Sequence, residues 1–241
     1  DDPAIWRNAK DPVKSLIIGT DKRAGLYVYG LDGSKRSFLP EGELNNVDLR
    51  EVMIGGKKTV LVGASIRNDP ANAHVGLYKL DTETAKLSLL GKYPAGAGEA
   101  YGFCFGQDHG GETFAYMIEK SGFVRELTLS FADGKATSKI TREYKLATQP
   151  EGCVVDDRTG RLYVGEENAG IWLFDLDADN FAPQRFANIN GRELVADVEG
   201  LALAAEGENG GYLVASSQGD NAYVLYDLVT GTYVNRFRLV D

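Results

Sequence analysis

Cysteine is nearly missing from this sequence: only Cys104 and Cys153 occur in 241 residues. That count argues against a disulfide scaffold and against cysteine-rich zinc sites. Histidine is as scarce, and His74 and His109 both lie in loop-like sequence, too few and too far apart for a transition-metal centre. No run of about 18 apolar residues appears, so no segment reads as a membrane-spanning helix. The sequence opens at Asp1-Asp2-Pro3, already inside a motif and with no signal peptide in view, as a mature or trimmed domain would. Basic residues are outnumbered, 26 against 35 acidic, for a formal charge of −9. Such a balance makes a nucleic-acid or membrane-surface partner a poor fit, and an anionic ligand would need metal ions or a local Lys/Arg cluster.

Familiar catalytic signatures are absent as well: there is no CxxC, HExxH, GxSxG or P-loop pattern. Asp175-Leu-Asp177-Ala-Asp179 begins like a calcium-binding helix-loop-helix segment, but Asn180 stands where glycine is needed and no glutamate closes it. Neither cysteine has an arginine at the distance a cysteine phosphatase requires. Both are expected to be small buried hydrophobes of inner strands.

What the chain does have is a repeat. A strand of the form Gly-aromatic-apolar-aromatic reads AGLYVYGLDG at 24–33, VGLYKLDT at 75–82 and AGIWLFDLD at 169–177. A close variant, AYVLYDLVTG, stands at 222–231, and a looser copy, GFVRELTLSFADG, at 122–134. Ahead of each stands an apolar run: SLIIGT at 15–20, TVLVGAS at 59–65, TFAYMIE at 113–119, RLYVGEE at 161–167 and GYLVASS at 211–217. Ahead of that is an element of acidic character, so that Asp2, Asp48, Tyr101, Glu151 and Glu199 recur about 50 residues apart. Strong helical periodicity is lacking, and Asp32-Gly33, Asp133-Gly134, Thr159-Gly160 and Thr230-Gly231 punctuate the strands as turns. Units of three or four short strands at this spacing match the blades of a β-propeller rather than a β-sandwich, which does not need one strand triplet five times. The chain reads as a single domain over 1–241, with five blades or most of six.

In a propeller the innermost strand of every blade faces the channel, so residues recurring at its start converge in space. Here they bear oxygen: Asp1, Asp2, Asn46, Asp48, Glu99, Tyr101, Glu151, Asp197 and Glu199, joined by Glu166, Glu167 and Gln218 at the ends of the next strands. Converging carboxylates must raise their pKa values or be neutralised by cations. Hard cations suit an all-oxygen set, which favours calcium. The same rim carries Lys22, Arg23, Arg67 and Lys120 in the first three repeats. Basic groups there suit phosphate oxygens.

DDPAIW at 1–6, NNVDLR at 45–50, YGF at 101–103, EG at 151–152, EE at 166–167, DVEGL at 197–201 and SSQG at 216–219 resemble, in order and spacing, the β-propeller (alkaline) phytases of bacilli and related bacteria. The resemblance covers essentially the whole chain. It implies an all-β, six-bladed propeller in which five repeats are visible here and the closing blade is incomplete. Strands before Asp1 and an acidic Asp/Gly-rich loop with a last blade after Asp241 would complete the family pattern. It also implies several calcium ions and a phosphoric monoester hydrolase of the 3-phytase type acting on phytate or calcium-phytate, secreted or periplasmic and monomeric.

By the same resemblance, the metal ligands would be Asp1, Asp2, Asn46, Asp48, Glu151, Glu167, Asp197, Glu199 and Gln218, with Asn46 and Asp48 serving a channel calcium. Lys22, Arg23, Arg67 and Lys120 would grip phosphates. The catalytic set would be Tyr101, Lys22, Arg67, Lys120, Glu167 and Glu199, with a calcium-activated water attacking phosphorus. Arg23 replaces a lysine often seen in the family. Two rivals are a non-catalytic calcium- and phytate-binding domain that assists a complete tandem phytase domain, and a lactonase-like propeller. The basic set disfavours the second, since a neutral lactone needs no such clamp.

Overall fold

A computed structural model of the chain describes residues 2–239. Its strands form five four-stranded sheets, each taken up in chain order. The first contains β1 (Pro3–Trp6), β2 (Leu16–Asp21), β3 (Gly25–Gly30) and β4 (Lys35–Pro40). The second contains β5 (Leu44–Ile54), β6 (Lys57–Ile66), β7 (Asn72–Asp81) and β8 (Lys86–Ala97). The third is β9 (Ala100–Gln107), β10 (Thr113–Glu119), β11 (Phe123–Ala132) and β12 (Lys135–Lys145). The fourth is β13 (Pro150–Asp156), β14 (Arg161–Glu166), β15 (Gly170–Asp175) and β16 (Gln184–Asn188). The fifth is β17 (Val198–Glu206), β18 (Gly210–Ser217), β19 (Ala222–Asp227) and β20 (Tyr233–Phe237).

Consecutive strands pair antiparallel, for example Ile5 with Ile17 and Leu162 with Phe174. This is the meander of a propeller blade. The fold is therefore all-β with five blades, and the expected six are not found. A repeat of about 50 residues consumes the described chain in five turns of the pattern, leaving no residues for another sheet.

The chain divides into two compact units, Asp1–Met117 with Arg125–Thr141, and Ile118–Val124 with Arg142–Asp241. In the first unit, first strands pack on first strands: β1 on β5 and β5 on β9. In the second, β13 packs on β17. Burial follows from this stacking. β6 and β14 read as nearly continuous buried runs, as strands covered on both faces must. β2 and β18 alternate, one face in and one out.

The core of the first unit joins Ile18, Leu26, Val28, Leu44, Val62 and Tyr78 in one cluster and Leu61, Leu77, Phe103, Phe105, Met117 and Leu127 in another. The second unit buries Tyr163, Ile171, Leu194, Val198, Leu213 and Val224. Each fully buried aliphatic or aromatic side chain contributes about 1.5–3 kcal/mol relative to exposure. Cys104 and Cys153 are buried as expected, but neither is a free thiol, so they are not merely small hydrophobes.

Candidate active site

The recurring polar residues stand where the repeat places them, at the starts of first strands and the ends of second strands. In the first unit, Asp2 precedes β1, Asn46 and Asp48 lie in β5, and Tyr101 is the second residue of β9. Lys22 and Arg23 occupy the exposed turn after β2, and Arg67 follows β6. In the second unit, Lys120 sits in the exposed turn after β10, Glu151 is the second residue of β13, and Asp197 and Glu199 flank the first residue of β17. Glu167 and Gln218 follow β14 and β18. Asp1 lies outside the described residues.

The first strands β5, β13 and β17 bulge at these positions. The register slips between Leu44 and Val47, between Pro150 and Cys153, and between Val198 and Leu201. The bulged residues are thus Asn45-Asn46, Glu151-Gly152 and Glu199-Gly200. A bulge adds one residue to one strand of a pair and re-aims its side chains, which is why such irregularities gather at functional sites.

In the first unit a chain of hydroxyls and amides ties neighbouring first strands. Thr20 Oγ1 accepts the Asp2 amide (3.1 Å) and donates to the Asn45 carbonyl (2.7 Å). Ser65 Oγ accepts the Asn46 amide (3.0 Å) and donates to the Tyr101 carbonyl (2.6 Å). The Asp2 carboxylate accepts the Val47 amide at 3.1 Å, and the Asp48 carboxylate accepts the Phe105 amide at 2.9 Å. Asp48 also takes the Leu49 amide (2.7 Å) and an ion pair from Arg50 (3.1 Å). Its oxygens therefore join β5 to β9, a structural task that the expectation of a calcium ligand had not foreseen.

Arg67 is held at three points. One nitrogen donates to Asn45 Oδ1 at 2.9 Å, another pairs with the Glu99 carboxylate, and the guanidinium lies 5.5 Å from the Tyr101 ring centre. A planar cation fixed in this way is a directional anion donor.

In the second unit, two glycines allow backbones to touch. A Cβ on Gly152 would overlap the Glu199 carbonyl oxygen, and one on Gly219 would overlap the Ala196 carbonyl oxygen. Only glycine admits such approach, so Glu151 is brought beside Glu199, and the Gln218 turn beside Asp197. Backbone bonds extend the cluster: Val198 N donates to the Glu167 carbonyl (3.0 Å) and Gln218 N to the Asp197 carbonyl (2.9 Å). Side chains follow, with the Gln218 amide on the Glu199 carboxylate and the Gln149 amide on the Glu167 carboxylate. Ser217 Oγ accepts the Val195 amide (2.9 Å) and lies 2.8 Å from Asp220 Oδ1, and Asp220 is in turn ion-paired with Arg236 and Arg238.

Glu166, grouped with the rim acids by its sequence position, is almost wholly buried. One oxygen accepts the Thr148 amide (2.6 Å) and hydroxyl (2.7 Å), and the other accepts Trp172 Nε1 (2.8 Å). Burial alone would raise its pKa, but these bonds and the Arg185 charge outweigh it, and the carboxyl stays below the usual range. Thr148, Gln149, Thr20, Ser65 and Asn45 were not singled out in the sequence. For Thr20 and Ser65, a polar side chain in the last two residues of β2 and β6 was the available signal.

Within the second unit, Glu151, Glu167, Asp197, Glu199 and Gln218 form an all-oxygen set, the chemistry a hard cation requires. Among the described residues, however, no three His, Cys, Asp or Glu side chains are gathered as a ready-made metal cage. The donors suit calcium by chemical type, and Glu167 and Glu199 are engaged by glutamine amides.

Comparison with known proteins places these features in context. The family profile described as Phytase matches residues 1–241. The 3-phytase of Bacillus subtilis (strain 168) is 36% identical over 250 aligned positions, which cover 100% of this chain and 65% of that protein. The chain thus spans less than two thirds of the length of that curated relative. Among solved structures, a chain of the mitotic checkpoint complex superposes with a TM-score of 0.60 at 14% identity, covering 98% of this chain and 64% of the other. A likeness at that identity speaks to the fold alone.

Proposed function

The chain belongs to the phytase family, and from that premise we propose that it hydrolyses phosphate monoesters of phytate in a calcium-dependent reaction. The observation that carries this reading is a family match spanning residues 1–241. The 36% identity to a 3-phytase supports it.

In this reading Glu151, Glu167, Asp197, Glu199 and Gln218 would hold calcium in the second unit, and Asp2 and Asn46 would be oxygen donors within the first. Asp48 is less suited, since its oxygens already take two backbone amides and Arg50. Bound calcium would neutralise phosphate charge and lower the pKa of a water at the site. Lys22, Arg23, Arg67 and Lys120 take phosphate oxygens, Arg67 as a preset fork and the others as cations at exposed turns. Tyr101 steadies Arg67 from one face and borders the substrate. Neither histidine stands at a candidate position, His74 lying in β7 and His109 in the loop after β9. Direct displacement by water is therefore favoured over a phosphoenzyme. That neither cysteine is a free thiol suits an oxidising compartment and supports secretion or a periplasmic location.

The test is phosphate release from calcium-phytate before and after a chelator strips the protein. Calcium-reversible loss of turnover supports the reading, and turnover unchanged by complete calcium removal overturns it.

A second reading is favoured by one observation: the described residues form five blades where the family resemblance implies six. The chain would then bind calcium and phytate without efficient turnover and assist a complete tandem domain. Assays of the isolated chain against a fusion with a complete phytase domain separate the two readings.

A further inference from the structure

The Glu166 carboxylate is spent on its own fold, yet its neighbour carries a candidate ligand. Two adjacent residues of the segment before β13 are matched to the last residue of β14 and the residue after it. Thr148 bonds Glu166 through amide and hydroxyl. Gln149 bonds Glu167 through its side-chain amide, while Glu167 N donates to the Gln149 carbonyl at 3.0 Å. The far oxygen of Glu166 is fixed by Trp172 Nε1, and Arg185 covers the Trp172 ring at 3.6 Å from its centre. From there the Glu167 carbonyl takes Val198 N, the residue flanked by Asp197 and Glu199. An unbroken set of bonds therefore runs from the buried carboxylate to three candidate ligands.

We propose that Glu166 is a positioning residue: anchored by Thr148 and Trp172, it locks the Thr148-Gln149 segment so that Gln149 aims the Glu167 carboxylate and the Glu167 backbone sets Asp197 and Glu199. The proposal rests on the calcium-phytase reading but concerns how the ligands are held rather than what they hydrolyse. The logic is that of metal sites generally, where partners behind the ligands set their orientation, and their loss costs about 10–100-fold in metal affinity or activity. Thr148 is the best probe because its hydroxyl can be removed without touching a candidate ligand. Thr148→Val keeps the branched shape and the backbone bond and deletes the hydroxyl donor. Thr148→Ser restores it.

The experiment titrates calcium into the whole chain by calorimetry and follows steady-state phosphate release from calcium-phytate, for wild type, T148V, T148S and W172F. Urea unfolding is measured alongside. The expected result is calcium binding weakened about 10-fold and kcat reduced about 10-fold in T148V and W172F, KM changed less than about 2-fold, and T148S close to wild type. Calcium affinity in T148V equal to wild type, or a loss that T148S fails to rescue, overturns the proposal, as does a wild-type chain that binds no calcium. If wild type binds calcium but releases no phosphate, the phytase reading fails alone. Positioning by Glu166 is then decided by the calcium titration of T148V against T148S.

Discussion

Arg67 shows how a single residue can be made ready for an anion. Asn45, Glu99 and the Tyr101 ring fix its plane, so little side-chain freedom would be lost if, as proposed, it takes a phosphate. Replacing it by lysine keeps the charge but removes the fork. Arg67→Ala is expected to lower kcat/KM for calcium-phytate by about 100-fold, the scale for losing one preorganised donor. Arg67→Lys should recover only part of that loss. Urea midpoints should move far less than the kinetics in both variants, and equal losses in stability and activity would assign Arg67 to the fold instead. Gly152 belongs at this scale too. Its Cβ would overlap the Glu199 carbonyl, so Gly152→Ala must push β17 away from β13. Overpacking of this kind costs about 1–3 kcal/mol. Chemical denaturation should register that loss, and phosphate release should fall further than stability, since Glu151 and Glu199 separate.

At the scale of elements, the blades are joined by buried charges as well as by apolar faces. Asp156, at the end of β13, pairs with Arg158, whose guanidinium also donates to the carbonyls of Glu206, Gly207 and Gly210 around the β17–β18 turn. Burial alone would raise the Asp156 pKa, but the Arg158 bonds and charge outweigh it, and the carboxyl lies below its ordinary value. A carboxyl lowered in the folded state contributes stability at pH values above its unfolded pKa of about 3.9, and that contribution is lost as pH falls through the folded value. Urea unfolding between pH 6 and pH 3 should therefore show stability dropping at the acid end. Asp156→Asn should be less stable at pH 6 and lose less on acidification, whereas parallel curves for the two proteins would remove Asp156 from the account.

Much of the element order was legible beforehand. The Gly-aromatic strands emerged as β3, β7, β15 and, without the glycine, β19, and the acidic segments became first strands, because alternation and turn residues are local properties. The bulges at Asn46, Gly152 and Gly200 were not read, although Glu-Gly occurs twice at the same register. A bulge is a mismatch between two strands and appears only once their pairing is known. Glu166 and Glu167 looked alike in sequence. One is buried among Thr148 and Trp172, and the other lies in the turn beyond, a difference set by partners 18 and 6 residues from Glu166.

For the whole molecule, the repeat count departed from the family expectation, since five sheets use up the described residues. For a chain of net charge −9 to take up a polyphosphate, as proposed, cations are needed, and calcium on the carboxylates with four basic side chains at strand ends would supply them. The most direct measurement is the rate of phosphate release from calcium-phytate by the chelator-stripped chain as calcium is added back. Calcium-dependent hydrolysis gives negligible release without calcium and a saturable return of activity with it. Release that proceeds at full rate in the calcium-free protein would show that the reaction does not depend on calcium.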